Sequence, residues 1–264
     1  MDYGVPEAIV HVNDGEELSP VSVLVAGARM APIGRAVVEL DLEGEALAVK
    51  AGDRIEVLLG YRETGVRRVF KGKVKVVDPG RVVRLTCLDR MQDLGEPEAR
   101  IRQSFVSVTA QDVMSWCLER AGVDEFTLGA GATPRRHHFV CKNLSVLQVC
   151  KMVRESWGLD WDYYADPDGV VWFVPWAESP RALADPVLDL EYGVNITRWQ
   201  PSTNSTGILE TYLAPEVRHS DRIRITDDRL SGLRVVARVE RATHELDKVG
   251  GCTRIEWTVL TAAS

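Results

Sequence analysis

The sequence lacks a long apolar run and a secretory leader. No stretch approaches the roughly 20 apolar residues that a membrane-spanning helix needs. The first residues also show neither the basic nor the apolar segment of a signal peptide. We therefore expect the 264-residue chain to fold in a cytoplasm without inserting into a membrane. The formal net charge of -7 argues against a nucleic-acid-binding surface spread over the whole chain, which would need an excess of cations.

Cysteine is scarce and its spacing is uninformative. The chain has five cysteines, an odd number, and no C-x-x-C pair. This pattern favours reduced, buried thiols over a disulfide framework or a zinc site. The five are Cys87, Cys117, Cys141, Cys150 and Cys252.

Signatures of catalysis are also missing. The chain contains no P-loop, no dinucleotide-binding glycine fingerprint and no G-x-S-x-G motif. One local cluster combines metal-ligand and nucleophile types, but it has neither zinc-site spacing nor a motif that would place a Cys–His pair. It consists of His137, His138, Cys141 and Cys150. We therefore expect no catalytic residue, no metal ion and no cofactor.

Three other clusters each allow two interpretations. The acidic residues at 160–168 favour a hairpin turn over a calcium loop, because Pro167 interrupts them. The basic runs 67–68 and 135–138 favour solvated loops, with contact to a phosphate or an acidic partner as the alternative. The tryptophans between 157 and 176 favour a buried core, with a carbohydrate-binding platform as the alternative.

What the chain does contain is an internal repeat. Residues 51–57 read Ala-Gly-Asp-Arg-Ile-Glu-Val, and residues 219–225 read His-Ser-Asp-Arg-Ile-Arg-Ile. In each copy this stretch precedes a glycine turn, Gly65 or Gly232, then an alternating apolar run, another turn and a third β-like segment. Because three segments recur in the same order, the sequence predicts a duplicated β unit. Two unrelated antiparallel meanders with common turn residues remain the alternative.

The repeat sets the predicted domain plan. Residues 1–95 are predicted to form a first small β-barrel and residues 181–264 a second, similar one. Between them, residues 96–180 are predicted to form an α+β insertion. Thr109 and Ser145 are suited to cap two helices, and the turn at 166–169 predicts a hairpin. The fold class is therefore mainly β, with two similar barrels flanking a helix-and-hairpin domain.

This arrangement resembles the baseplate hub proteins of tailed phages. The resemblance rests on the two barrel-like segments and on short patterns at 143–147, 158–161, 168–173, 237–239 and 244–247. The family includes the late control D proteins, the hubs of T4-like and Mu-like tails and the N-terminal part of VgrG spikes. The resemblance covers most of the chain, and the family offers no catalytic residues to carry over.

The resemblance implies a non-enzymatic homotrimer in a virion tail or a related injection particle. Three chains with two barrels each would form a ring with six similar lobes, which would adapt a hexameric tail tube to a trimeric spike. Implied partners are a tail tube protein, a spike protein and other baseplate proteins, with DNA only passing through the channel. The repeated residues Asp53, Arg54, Asp221 and Arg222 are then candidates for contacts between barrels or subunits. A cell-wall polysaccharide hydrolase or binding module, using the tryptophan-rich middle segment, is the alternative function.

Overall fold

A computed structural model describes residues 4–13, 15–41, 49–96, 100–186, 188–202, 205–227 and 233–260. The chain divides into two compact units. Unit 1 combines Met1–Leu88 with Ala184–Ser264, and unit 2 is Asp89–Leu183. Among the described residues, no helix is both long and apolar enough to span a membrane. The predicted turn at Gly232 lies outside the described residues.

Unit 1 is built around a 13-stranded sheet to which both ends of the chain contribute. We call the N-terminal part module 1 and the C-terminal part module 2. The strands of module 1 are β1 (Pro6–Val12), β2 (Glu16–Leu18), β3 (Ser22–Ala28), β4 (Ala31–Asp41), β5 (Arg54–Tyr61), β6 (Gly65–Asp78) and β7 (Val82–Asp89). Those of module 2 are β13 (Leu188–Glu191), β14 (Ile196–Pro201), β15 (Thr206–Tyr212), β16 (Arg222–Asp227), β17 (Leu233–Leu246) and β18 (Gly251–Val259).

The two modules share one strand order. Module 1 runs β1-β5-β6-β7-β4-β3, and module 2 runs β13-β16-β17-β18-β15-β14. The registers also match, since Arg54 lies opposite Lys73 in module 1 and Arg222 lies opposite Arg238 in module 2. One pair differs: β1 is antiparallel to β5, whereas β13 is parallel to β16. The common order and register support the interpretation of the repeat as a duplication.

Each module has its own apolar core. The alternation of β5 places Ile55, Val57 and Leu59 in the first core, as expected for a sheet with one buried face. Ile223 and Ile225 of β16 occupy the corresponding place in the second core, with Trp257 of β18. At roughly 1.5–3 kcal/mol for each fully buried large apolar side chain, these two cores are the main stabilising contribution to unit 1.

Unit 2 has the predicted α+β character. Helix α1 (Ala110–Arg120) and helix α2 (Val146–Trp157) each begin with a complete capping box, formed by Thr109 with Asp112 and by Ser145 with Gln148. Gly158 ends α2 in the left-handed conformation, at φ +64°. The remaining elements are β8 (Arg100–Val108), β9 (Phe126–Leu128), β10 (Arg136–Ser145), β11 (Trp161–Ala165), β12 (Val171–Pro175) and α3 (Pro180–Leu183). The mainly β fold with a small helical part confirms the predicted fold class.

Two local interpretations are wrong. Residues 67–68 do not form a loop: they lie in β6, which pairs antiparallel with β5. Residues 136–138 do not form a loop either: they begin β10, which pairs antiparallel with β8. The residues that alternate inward from this strand are Phe139 and Cys141, which lie after the basic run. The run itself therefore carries no apolar alternation from which a strand could be predicted.

Candidate functional site

The repeated Asp-Arg-Ile stretch forms a tight turn before β5. The Asp53 Oδ2 atom accepts a hydrogen bond from the Lys50 backbone N–H at 2.8 Å. The Gly52 N–H donates to the Val74 carbonyl at 2.8 Å, and the Val74 N–H donates to the Asp53 carbonyl at 2.9 Å. Gly52 has φ +96°, a backbone conformation that glycine adopts without a steric penalty. The Lys50 N–H is the main cause of the lowered pKa of Asp53, because it stabilises the carboxylate.

Module 2 repeats this turn before β16, bond for bond. The Asp221 Oδ2 atom accepts from the Arg218 N–H at 2.6 Å. The Ser220 N–H donates to the Val239 carbonyl at 2.7 Å, and the Val239 N–H donates to the Asp221 carbonyl at 2.9 Å. Ser220 takes the left-handed conformation of Gly52, at φ +69°. Asp53 and Asp221 are both buried, so each carboxylate anchors the start of a core strand.

The modules are joined by strand pairing. The N-terminal part of β17 pairs with β16, while residues 241–246 pair antiparallel with residues 28–23 of β3. On its other side β17 pairs with β18. A single strand therefore belongs to module 2 and also forms the edge on which module 1 continues. We call this pairing, together with the side-chain contacts beside it, the seam.

Side chains reinforce the seam from both sides. The Tyr61 hydroxyl donates to the Leu213 carbonyl at 2.9 Å, and Arg218 Nη2 donates to the Arg68 carbonyl at 3.2 Å. A Cβ atom on Gly27 would lie 3.2 Å from His219 Cδ2, so a larger residue at this point of β3 would require the His219 side chain to shift by a few tenths of an ångström. The seam is therefore specific packing as well as backbone pairing.

A buried histidine lies on the seam strand. His244 is opposite Val25 of β3 and opposite Thr253 of β18. Its Nδ1 atom lies 2.9 Å from Thr253 Oγ1, which also accepts the Ala214 N–H at 2.8 Å. Burial is the main cause that lowers the pKa of His244, to about 4. At neutral pH the imidazole ring is therefore uncharged, and it holds β17 to β18 through its hydrogen bond with Thr253.

The four candidate contact residues occupy equivalent places but do not come together. Asp53 and Asp221 each anchor a turn within their own module. The Arg54 backbone N–H donates to Asn13 Oδ1 at 3.1 Å, and Arg222 Nη1 reaches the Ala184 carbonyl at 3.5 Å. The side chains that do cross the seam, Tyr61 and Arg218, were missed by sequence reasoning. Only the position of Arg218, three residues before the repeated Asp221, could have indicated its role from the sequence.

The chemically suggestive clusters have structural explanations. Cys141 and Cys150 are buried, and burial raises the pKa of their thiols to about 11 and about 12. Within the described ranges, no group of three or more histidine, cysteine or acidic side chains could hold a metal ion. Asp166 Oδ1 accepts the N–H groups of Asp168 and Val170, which is the hydrogen bonding of a hairpin turn.

The tryptophans of unit 2 are engaged in packing and hydrogen bonds. Trp161 is buried against Phe173, with ring centroids 5.3 Å apart. The Trp157 Nε1–H donates to the Pro134 carbonyl at 2.7 Å, and the Trp172 Nε1–H donates to Asp166 Oδ2 at 3.0 Å. These contacts favour the core interpretation over a flat platform for a sugar.

Comparisons with known proteins identify similar folds but no similar sequence. No protein-family model matches the sequence, and no curated protein matches it. Solved structures do match. A tail protein from Neisseria meningitidis MC58 superposes with a TM-score of 0.73 at 13% identity, covering 96% of both chains. A 43 kDa tail protein of prophage MuSo2 from Shewanella oneidensis gives 0.72 at 11% identity, covering 96% of this chain and 98% of that one.

A third match comes from a secretion system. The E. coli c3393 protein is described as a type VI secretion component with structural similarity to the T4 tail proteins gp27 and gp5. It gives a TM-score of 0.68 at 10% identity, covering 96% of this chain and 77% of that one. Over nearly its whole length, this chain has the fold of phage tail proteins.

Proposed function

We propose that the protein is a structural hub of a phage tail baseplate or a phage-derived injection particle, and that it has no enzymatic activity. Three chains form a closed ring in which modules 1 and 2 alternate as six similar lobes. The ring joins a hexameric tail tube to a trimeric spike and contacts other baseplate proteins. It is assembled in the bacterial cytoplasm and ends in the virion tail, with DNA only passing through its channel.

The observation that carries this proposal is the seam between two equivalent modules. Module 2 contributes β17 to it, and module 1 contributes β3. In the duplicated order, β17 corresponds to β6 and β3 corresponds to β14. The two modules therefore meet through different faces, and the contact is heterologous. A heterologous contact that repeats between chains produces either a closed ring or an open filament.

In each chain, the β6 side of module 1 and the β14 side of module 2 take no part in the strand pairing of the seam. The strand order leaves β14 at the end of the sheet path, and β6 pairs only with β5 and β7 among the described strands. Module 1 can therefore present its β6 side to the β14 side of the next chain. If that junction follows the geometry of the seam, three chains give six lobes in regular alternation.

Charge is consistent with a channel. Three chains of net charge -7 give a formal charge of -21, and like-charge repulsion would keep DNA from adhering to the lumen. The fold that this chain shares with phage tail proteins supports a structural role in a tail. The raised thiol pKa values support the proposed absence of nucleophilic cysteine chemistry.

Oligomeric state is the direct test. We expect native mass spectrometry of the full chain to give trimers, and negative-stain micrographs to show closed rings with six lobes. A monomer that persists at high concentration, or a dimer, would contradict the proposal. Lysis of peptidoglycan that is abolished by replacing one carboxylate would instead favour a hydrolase.

A further inference from the structure

Strands β8 and β10 of unit 2 form an isolated two-stranded sheet, which we call the ribbon. Its inner face is buried: Phe105 packs edge-on against Trp116, and Phe139 packs against Trp157. The central side chains of the outer face, Val106 and Val140, are exposed, so no element among the described residues covers them. The ribbon therefore presents one β face to solvent.

The middle of that outer face is apolar. Val106 is 66% exposed and Val140 is 44% exposed, which is unusual for valine in a sheet. Val106 lies opposite His138, and Val140 lies opposite Ser104. The two valines are therefore diagonal neighbours on the same face, close enough to form one apolar patch.

Cations flank the patch. Arg102 lies directly opposite Lys142, an arrangement of like charges that destabilises a strand pair. Neither side chain makes an ion pair with any described residue. The two strands contain four lysine or arginine residues and no acidic residue, although the whole chain is acidic.

Val140 of the patch and the two opposed cations line a shallow groove. Its volume is about 560 Å³. The lining residues are Arg102, Gln103, Ser104, Val140, Cys141, Lys142 and Asn143. An extended segment laid along this groove would contact Val140 and both opposed cations.

We propose that the ribbon is a docking surface for another protein, through an extended acidic segment whose groove-facing residues, at every second position, include both carboxylates and apolar side chains. The carboxylates neutralise Arg102 and Lys142, and the apolar residues cover Val106 and Val140. A nucleic acid fits less well, because its phosphates satisfy the cations but leave the valines without an apolar contact. The surface lies in unit 2 and shares no residue with the seam.

Binding of labelled peptides to the full chain tests this, with fluorescence anisotropy as the readout. The probe is a short peptide in which glutamate and valine take turns at every second position, with serine between them, so that both can face the groove. We expect it to bind, and we expect the pair Arg102→Glu and Lys142→Glu to weaken binding by about tenfold or more, because rim and groove charges govern such contacts. The matched pair Arg120→Glu and Lys151→Glu, on the exposed surfaces of α1 and α2, changes the net charge equally and should leave binding unchanged.

A second pair of variants tests the apolar patch. Val106→Ser with Val140→Ser should weaken the glutamate–valine peptide but not a glutamate–serine peptide of the same charge. Circular dichroism confirms that each variant is folded. Equal losses in both charge pairs would overturn the proposal, since binding would then reflect net charge alone. Tight binding of a DNA oligonucleotide that is insensitive to the valine changes would overturn it in favour of a nucleic-acid contact.

Discussion

His244 Nδ1 lies 2.9 Å from Thr253 Oγ1, and both side chains are almost completely buried. The Thr253 hydroxyl accepts the Ala214 N–H and is hydrogen-bonded to His244 Nδ1. The nearby Arg218 charge also lowers the pKa of His244, whereas a hydrogen bond with the Val217 backbone raises it. This single ring thus ties β17 and β18 to the 214–218 segment.

The first prediction concerns acid stability. The pKa of His244 falls from 6.5 to about 4 on folding, so the unfolded chain binds the proton more readily. The stability that the neutral ring contributes is therefore present above about pH 6.5 and is lost as the pH falls towards 4. The loss is on the order of 3 kcal/mol. Urea unfolding at several pH values measures it.

His244→Asn is the matched variant, because its Oδ1 can accept the Thr253 hydrogen bond but cannot be protonated in this range. We expect a flatter dependence of the free energy of unfolding on pH between 6.5 and 4. An unchanged pH dependence would show that the carboxylates, and not His244, dominate acid unfolding.

The second prediction concerns the duplicated turns. Asp221→Ala removes the buried acceptor of the Arg218 N–H and should lower the free energy of unfolding by about 2 kcal/mol. Asp53→Ala should also destabilise the chain, while Asp→Asn at either site keeps an acceptor and should cost less. Because the turns lie in different modules, the two losses should add. Denaturant titration of the single and double variants measures this, and strong non-additivity would contradict independent turns.

The third prediction concerns the seam. Tyr61→Phe removes only the hydroxyl that donates to the Leu213 carbonyl, so it should cost about 1 kcal/mol without changing the fold. Hydrogen exchange of amides in β3 and in the second half of β17 should become faster in this variant. Unchanged exchange in both strands would show that the hydroxyl does not stabilise the seam.

The fourth prediction concerns the end of α2. Gly158→Ala forces alanine into the left-handed region and should destabilise unit 2 by about 1 kcal/mol. Gly250→Ala is the control, because its Cβ would meet nothing within 4 Å and its φ is not positive. Thermal unfolding followed by circular dichroism compares the two. Equal melting temperatures would contradict the cap assignment.

Local chemistry made much of the fold predictable. Thr109 and Ser145 marked their helices because a capping box uses side chains close in sequence. The turn at 166–169 marked its hairpin for the same reason. The repeat around Asp53 and Asp221 predicted a duplicated β unit, and the structure places equivalent turns at the two aspartates.

Long-range pairing was not predictable in this way. Nothing within residues 241–246 identifies β3 as their partner, because an alternating strand fits many neighbours equally well. The ribbon was missed for a similar reason: the paired residues of β8 and β10 are separated by 28 positions (Val108 and Arg136) to 45 positions (Arg100 and Ser145) of the chain. The sequence therefore identified the repeated stretch of the candidate site but not the seam.

The double membership of β17 also bears on cooperativity. Loss of module 2 would remove β17 from beside β3, and loss of module 1 would expose the edge of β17, so we expect the two modules to unfold together. In the proposed ring, a chain would then supply both of its lobes or neither.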